Sequence, residues 1–78
     1  MNNFIVIDME QTGENIKYLR EKAGMTVKEL QNIFGFTSPY AIYKWQYGKT
    51  LPTVDNLLIL ASLFNTKIED ILVVRSKV

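Results

Sequence analysis

The chain has 78 residues, which is long enough for one domain and too short for two. It contains no cysteine and no histidine, which excludes a disulfide framework, a thiolate-bound metal and the commonest general base and zinc ligand. The net charge of +1 is a weak electrostatic argument for a nucleic-acid partner, but no acidic residue lies between Leu30 and Val54, a window that contains Lys44 and Lys49.

The hydropathy pattern predicts a protein without membrane contact. No apolar run approaches the length of about 20 residues that a membrane span needs. The apolar run at residues 4–7 is too short for a signal peptide and no basic segment precedes it. Because a small cysteine-free domain suits a reducing compartment, we expect a cytoplasmic location.

Both ends of the chain carry short apolar runs. Residues 1–11 form an N-terminal extension in which Phe4–Ile7 is branched and apolar, as is typical of a strand. Residues 71–74 have the same character and lead into a C-terminal tail at 73–78. The two ends could pair with each other or with a second subunit, or both could be loosely packed tails.

Residues 12–72 carry the pattern of five helices. The first helix is predicted to begin at Thr12 or Gly13 and to run to about Lys22, and Gly24 follows as a residue suited to a left-handed C-terminal cap. The residues that share one face of this helix are Ile16, Leu19 and Ala23.

The second helix has the clearest start. Thr26 and Glu29 have the spacing of a capping box, in which each side chain bonds the backbone N–H of the other residue. Gly35 ends the helix after about two turns, so it needs tertiary packing to be stable. The predicted buried stripe consists of Leu30, Ile33 and Phe34.

The third helix is predicted to begin with Ser38 as N-cap and Pro39 at the first helical position, and to stop at Gly48. Ile42 and Trp45 are three residues apart and should face inward. Trp45 is therefore predicted to be a core residue and not a stacking platform for bases. The remaining surface of the helix is assigned to Tyr40, Tyr43, Lys44 and Tyr47.

The fourth and fifth helices complete the predicted core. Thr53 should cap the fourth helix, with Asp55 in its first turn, and Asn65 should close it in a left-handed conformation. Its apolar residues are Leu57, Leu58, Leu60, Ala61 and Phe64. A short fifth helix is predicted at about residues 67–72, with Ile68, Ile71 and Leu72 inward.

Two short helices joined by a glycine-led turn, the second with polar and aromatic residues outward, are typical of a helix-turn-helix. The second helix of that motif must be short and exposed to enter the major groove of DNA. Residues 12–72 resemble the phage-repressor and Cro-like, or Xre-type, helix-turn-helix family. The resemblance rests on an ordered series of short motifs: IKYLR at 16–20, GMT at 24–26, EL at 29–30, G at 35, AIYKW at 41–45, GKTLP at 48–52, NLL at 56–58 and IEDIL at 68–72.

This resemblance implies an all-α, five-helix repressor-like domain that binds double-stranded DNA sequence-specifically, usually as a homodimer, and regulates transcription, in this case as a repressor. Val27–Phe34 would be the bracing helix, and the helix from Pro39 to Tyr47 would be the recognition helix. The positions that read bases in the family correspond here to Ser38, Pro39, Tyr40, Tyr43 and Lys44. The positions that contact phosphates correspond to Thr26, Val27, Lys28, Tyr47, Lys49 and Thr53.

The sequence departs from the family pattern at several positions, both among these residues and where the helices of the motif pack. Tyr40 stands where relatives often carry glutamine, the residue suited to bidentate adenine recognition. Val27 replaces a glutamine that touches phosphate, and Gln31 replaces an alanine where the two helices approach closely. Gln46 replaces a glutamate that commonly pairs with the arginine at Arg20. A hydrogen bond between Arg20 and Gln46 remains possible there, but an ion pair does not.

Two other classes of function compete with DNA binding. Three exposed tyrosines and a low net charge would also suit a protein-interaction module that keeps the fold, or the antitoxin component of a toxin–antitoxin pair. An enzyme is not expected, because Ser38, Ser62 and Ser76 have no histidine partner and no glycine loop could cradle a phosphate. No cofactor, metal or small-molecule ligand is expected either.

Overall fold

The computed structural model describes residues 4–77, so Met1–Asn3 and Val78 of the two predicted terminal segments lie outside the described residues. Its elements in chain order are β1 (Phe4–Ile7), α1 (Met9–Lys22), α2 (Val27–Phe34), α3 (Tyr40–Gln46), α4 (Val54–Leu63), α5 (Ile68–Ile71) and β2 (Val74–Lys77). The predicted five-helix fold is confirmed, and of the alternatives considered for the two terminal segments the structure shows that they pair with each other. None of the helices in the described range is long and apolar enough to cross a membrane.

The two terminal segments pair with each other as an antiparallel two-stranded sheet. Phe4 lies opposite Lys77, and Ile7 lies opposite Val74. The pairing extends by one more residue on each segment, because the backbone N–H of Asp8 donates to the Val73 carbonyl at 2.7 Å. The sheet therefore leads directly into α1 at one end of the helical body.

Helix α1 begins at Met9, so the prediction of a start at Thr12 or Gly13 was wrong by about one turn. Asp8 is the N-cap, and its carboxylate accepts from the backbone N–H of Gln11 at 2.9 Å. Residues 9–11 consequently belong to the helix and not to an extended segment. Thr12 and Gly13 are both buried in its interior and serve tertiary contacts.

Polar side chains on α1 hold the segment that leads into β2. Thr12 is fully buried, and its hydroxyl accepts from the N–H of Val73 at 2.9 Å and donates to the carbonyl of Val73 at 3.2 Å. The side-chain amide of Asn15 donates to the carbonyls of Asp70 and Ile71 at 2.9 and 3.0 Å. These bonds pair backbone groups at the end of α5 and at Val73, which have no partner within a helix.

Helix α2 has the predicted capping box. The Thr26 hydroxyl accepts from the Glu29 N–H at 3.0 Å, and the Glu29 carboxylate accepts from the Thr26 N–H at 2.9 Å. Gly35 closes the helix with a φ of 70°, a left-handed conformation that costs glycine little.

The predicted buried stripe of α2 is only partly correct. Leu30 is fully buried and Phe34 is half-buried, but Ile33 is exposed. Gln31 is buried in its place, with its amide nitrogen donating to the Phe36 carbonyl at 3.2 Å. A glutamine is tolerated inside because this bond pairs its donor.

Helix α3 begins at Tyr40, and Pro39 occupies the N-cap position. The prediction of Ser38 as N-cap and Pro39 as first helical residue was therefore wrong. The Ser38 hydroxyl lies two residues before the Tyr40 N–H and reaches it only at 3.4 Å. The spacing is that of an N2 cap, but the distance is long for such a hydrogen bond.

Helix α4 begins as predicted, because the Thr53 hydroxyl accepts from the Asn56 N–H at 3.2 Å. Asn65 follows its end with a φ of 52°, the predicted left-handed conformation. Leu58 is exposed, contrary to its assignment to the core. The buried core consists of Ile16, Leu30, Ile42, Trp45, Leu57, Leu60, Ala61, Phe64 and Ile71, drawn from all five helices.

Candidate nucleic-acid interface

Helix α3 has one buried and one exposed face. Ile42 is fully buried and Trp45 is only 4% exposed, so both anchor the helix as predicted. On the other side Tyr40 is 72% exposed, Tyr43 is 37% exposed, and Lys44 is also exposed. A short helix with its polar and aromatic side chains directed to solvent is the geometry that groove insertion requires.

The predicted base-contacting residues lie in one continuous segment, residues 38–44. Ser38 and Pro39 are half-buried in the turn before α3, so they offer less side-chain surface than Tyr40, Tyr43 and Lys44. The exposed helical positions therefore supply most of the surface that a partner would touch.

The predicted phosphate-contacting residues form two groups at neighbouring helix boundaries. Thr26, Val27 and Lys28 lie at the beginning of α2, and Tyr47, Lys49 and Thr53 lie in the segment between α3 and α4. All of them except Val27 are exposed. Val27 is half-buried and packs against the core, so its side chain serves the fold.

Both threonines of these groups already act as helix caps. The Thr26 hydroxyl accepts from Glu29 and the Thr53 hydroxyl accepts from Asn56. Because a hydroxyl that accepts one bond still has its own proton to donate, each remains able to donate to an anionic oxygen. The Glu29 carboxylate accepts hydrogen bonds from Thr26, first of all from the Thr26 backbone N–H and then from its side chain. These bonds lower the pKa of Glu29.

A groove of mixed charge adjoins this surface. It lies between α1 and the end of α3, and its lining includes Glu10, Glu14 and Lys17 from α1 together with Tyr43, Tyr47 and Lys49. The rings of Tyr43 and Tyr47 stack with their centroids 6.1 Å apart.

A buried arginine connects α1 to α3. Arg20 donates from Nε to the side-chain oxygen of Gln46 at 2.9 Å and from Nη1 to the Met25 carbonyl at 2.7 Å. The hydrogen bond between Arg20 and Gln46, which the sequence left possible, is thus present. Both acceptors are neutral groups, although Arg20 is only 9% exposed.

A model of the helix-turn-helix family matches residues 16–71 of the chain. The chain belongs to the Xre/Cro-like helix-turn-helix family. In this helix-turn-helix protein α2 and α3 are the two helices of the motif, and Gly35 begins the turn between them.

Solved structures share the fold of this helix-turn-helix protein. The crystal structure of the DNA-binding domain of BldD has a TM-score of 0.68 at 18% sequence identity, covering 83% of this chain and 93% of that one. The structure of the S. venezulae BldD DNA-binding domain has the same TM-score and identity, with 83% and 96% coverage. No curated protein matches the chain significantly.

Two glycines allow the close approach of α1 and α3 in this helix-turn-helix protein. A Cβ atom on Gly13 would stand 2.5 Å from the Trp45 carbonyl oxygen, and one on Gly48 would stand 2.8 Å from the Met9 carbonyl oxygen. Gly48 also has a φ of 72°. The sequence identified Gly48 as a helix stop but gave no sign that Gly13 is a contact between helices, because a lone glycine near a helix start has several explanations.

Replacing Gln46 with glutamate is expected to stabilise the protein. A carboxylate at the Gln46 oxygen would accept from the Arg20 guanidinium as a charge-assisted hydrogen bond, which is about twice as strong as a neutral one. We expect a gain of about 1 kcal/mol in the free energy of unfolding at neutral pH, measured by urea denaturation. The gain should disappear in acid as the carboxylate is protonated. Unchanged or reduced stability of Gln46→Glu at neutral pH would contradict this account of the Arg20 site.

Proposed function

We propose that this helix-turn-helix protein binds double-stranded DNA sequence-specifically and acts as a transcriptional regulator, specifically a repressor. The observation that carries the proposal is the two-faced α3: Tyr40, Tyr43 and Lys44 are exposed above the buried Ile42 and Trp45. An α-helix with its side chains is about 10–12 Å across, which matches a major groove about 12 Å wide.

Lys44 and Tyr40 of α3 have distinct roles in this proposal. Lys44 carries the donors that suit the O6 and N7 acceptors of guanine. Tyr40 has one hydroxyl and an apolar ring, so it contacts a single polar base edge or a thymine methyl group. Tyr43 is more covered than Tyr40 and sits beside it on the helix. Specificity would therefore depend on one strong donor and on apolar fit, in contrast to the glutamine-based recognition of many relatives.

The flanking groups would position α3 on the duplex. Lys28 at the start of α2 and Lys49 after α3 supply positive charge, and the hydroxyls of Thr26 and Thr53 supply neutral donors to phosphate. Each phosphate neutralised by a cation contributes about −0.9 to the slope of log K against log salt. Because few lysines lie on this surface, we expect a shallow salt dependence.

The family and the shared fold support this proposal. The structures with the same fold are described as DNA-binding domains of BldD, and we extend that property to this chain. Proteins of this kind read two half-sites about 34 Å apart, one turn of the double helix, with a twofold-symmetric dimer. We therefore propose that the chain acts as a homodimer in the cytoplasm on a near-palindromic site.

The proposal predicts a loss of specific binding when either Lys44 or Tyr40 is replaced by alanine. A good base contact contributes about 1–3 kcal/mol of discrimination, so each variant should bind the preferred site about ten- to a hundredfold more weakly. Selection from a random DNA pool identifies that site first, and a fluorescence anisotropy titration then measures both variants. The matched control is Lys67→Ala, which removes an exposed lysine outside the proposed surface and should bind normally.

The same titration distinguishes the alternative function. If the wild-type chain binds neither selected nor genomic DNA at low salt, the fold serves a protein partner, as in an interaction module or an antitoxin. The stacked and accessible Tyr43 and Tyr47 are the surface that this alternative would use. If DNA binds but neither Lys44→Ala nor Tyr40→Ala weakens it, DNA binding stands and the assignment of the base-contacting residues is wrong.

A further inference from the structure

We propose that β1 is the dimer interface of this protein and pairs antiparallel with β1 of a second copy, centred on Val6, to make a four-stranded sheet in the order β2–β1–β1–β2. This inference deepens the dimeric state proposed above. It concerns contacts made without DNA, so it can be tested whether or not DNA binds.

The two-stranded sheet is incomplete as a structural unit. Within residues 4–77 only β1 and β2 belong to it, so the outer edge of each strand is unpaired there. Phe4 is 60% exposed and Ile5 is 73% exposed, although both are large apolar residues. An isolated pair of strands is marginally stable in water, and three or more strands with an apolar face are needed for independent stability. Additional strands on this ribbon would therefore stabilise it.

The register shows which backbone groups point away from β2. The N–H of Asp8 donates to the Val73 carbonyl, which is one of the two bonds of a hydrogen-bonded position in this register; the Val73 N–H donates to the Thr12 hydroxyl instead. In an antiparallel ladder hydrogen-bonded pairs alternate with non-bonded pairs. Val6 opposite Arg75 is therefore bonded to β2, whereas Ile5 and Ile7 direct their N–H and C=O groups to the outer edge of β1.

These outward groups are self-complementary about Val6. A twofold axis at Val6 places Ile5 of one copy opposite Ile7 of the other, and the reverse. The outward N–H and C=O groups of both residues in both copies are then paired. On one face of the sheet, Ile5 and Ile7 of each copy join Val74, which lies opposite Ile7, to form a continuous apolar surface.

Charge distinguishes the two edges. The β1 segment is uncharged, whereas β2 carries Arg75 and Lys77. Pairing of β2 with β2 of a second copy would place these cations side by side, and charged residues on an edge strand oppose association. Pairing of β1 with β2 of another copy is head-to-tail and cannot close as a twofold dimer, so it leads to a larger ring or to an open chain of molecules. The β1–β1 arrangement is the closed solution without repulsion.

Proline substitutions test the interface at a matched pair of positions. Ile5 and Ser76 lie opposite each other, and both direct their N–H groups outward, from β1 and β2 respectively. Ile5→Pro removes a donor from the proposed interface without removing a bond between β1 and β2, and Ser76→Pro does the same on the other edge. We expect sedimentation equilibrium to show a dimer for wild type and Ser76→Pro, and a dissociation constant raised at least about tenfold for Ile5→Pro.

A cysteine crosslink tests the register independently of stability. The chain has no cysteine, so Val6→Cys introduces a single thiol on the proposed twofold axis. The two Val6 residues would form a non-bonded antiparallel pair with Cα atoms about 4.5 Å apart, within the range of a disulfide. We expect oxidation to convert Val6→Cys to a covalent dimer, and Ser76→Cys to remain mostly monomeric.

Several outcomes would overturn the proposal. These are a monomeric wild type at all concentrations, a dimer that Ile5→Pro leaves intact, or equal crosslinking through Ser76→Cys. Leu58→Lys, on the exposed side of α4, tests a competing apolar face; dissociation by this variant alone would place the interface there. Lys44→Ala should bind its DNA site more weakly and keep the dimer, whereas Ile5→Pro should keep half-site binding and lose the dimer. Failure of this inference is thereby distinguished from failure of DNA binding.

Discussion

Replacement of Gly13 by alanine should destabilise the protein by about 3 kcal/mol. In an exposed helix interior the same change stabilises a protein by about 1 kcal/mol. The expected change in the free energy of unfolding therefore has the opposite sign to the one that helix propensity predicts. The added Cβ would stand 2.5 Å from the Trp45 carbonyl oxygen and 2.6 Å from that of Gln46. Because these are backbone atoms of α3, the whole helix must move away from α1. That movement would also stretch the hydrogen bond between Arg20 and Gln46.

Urea denaturation followed by circular dichroism measures this effect. For a chain of this size the loss corresponds to a fall of roughly 15 °C in Tm. The matched control is Glu14→Ala, the neighbouring exposed position of α1, which should change stability by less than about 0.5 kcal/mol. An unchanged or raised stability of Gly13→Ala would mean that α1 and α3 do not approach as closely as described.

Local signals in the sequence predicted much of this fold. The capping box of Thr26 and Glu29 and the left-handed residues Gly24 and Asn65 depend on neighbours within a few positions, and all four are confirmed. Such features are predictable because side-chain caps and left-handed conformations are decided by residue type and short spacing. The inward positions of Ile42 and Trp45 followed from helical periodicity in the same way.

Long-range contacts were not predictable from those signals. Thr12 looks like a helix cap in the sequence, but its hydroxyl is bonded to the backbone of Val73 at the other end of the chain. Gly13 looks like a poor helix residue until the carbonyls of α3 are seen beside it. The role of Asp8 as the actual cap was missed because Thr12 offered a chemically equivalent start. In each case the deciding partner is distant in sequence.

The candidate site was predictable as a surface but not as a set of contacts. Periodicity alone indicated that Tyr40, Tyr43 and Lys44 lie opposite the core, and their exposure agrees with it. The charged groove that Glu10, Glu14 and Lys17 line was not predicted, because only the packing of α1 against α3 brings these residues beside the tyrosines. The base and phosphate contacts themselves stay predictions until DNA binding is measured.

Replacement of Trp45 by alanine should cost about 3–5 kcal/mol of stability. The indole packs edge-to-face against Phe34 and Phe36, with ring centroids 5.5 and 5.9 Å away, while those two rings stack on each other at 5.2 Å. This cluster connects α2, the turn and α3, so its loss removes the contact that fixes the angle between the two helices of the motif. A helix as short as α3 is unstable without such packing.

The loss of stability in Trp45→Ala should also weaken DNA binding. A domain of this kind has about 5–15 kcal/mol to lose, so Trp45→Ala should be partly unfolded or loosely packed at ambient temperature and should bind DNA poorly. Trp45 is the single tryptophan, so circular dichroism must replace intrinsic fluorescence as the probe. Trp45→Phe keeps an aromatic ring in the cluster and should lose only part of the stability. Near-wild-type unfolding of Trp45→Ala would show that α3 is held by other contacts and that this cluster does not set the recognition surface.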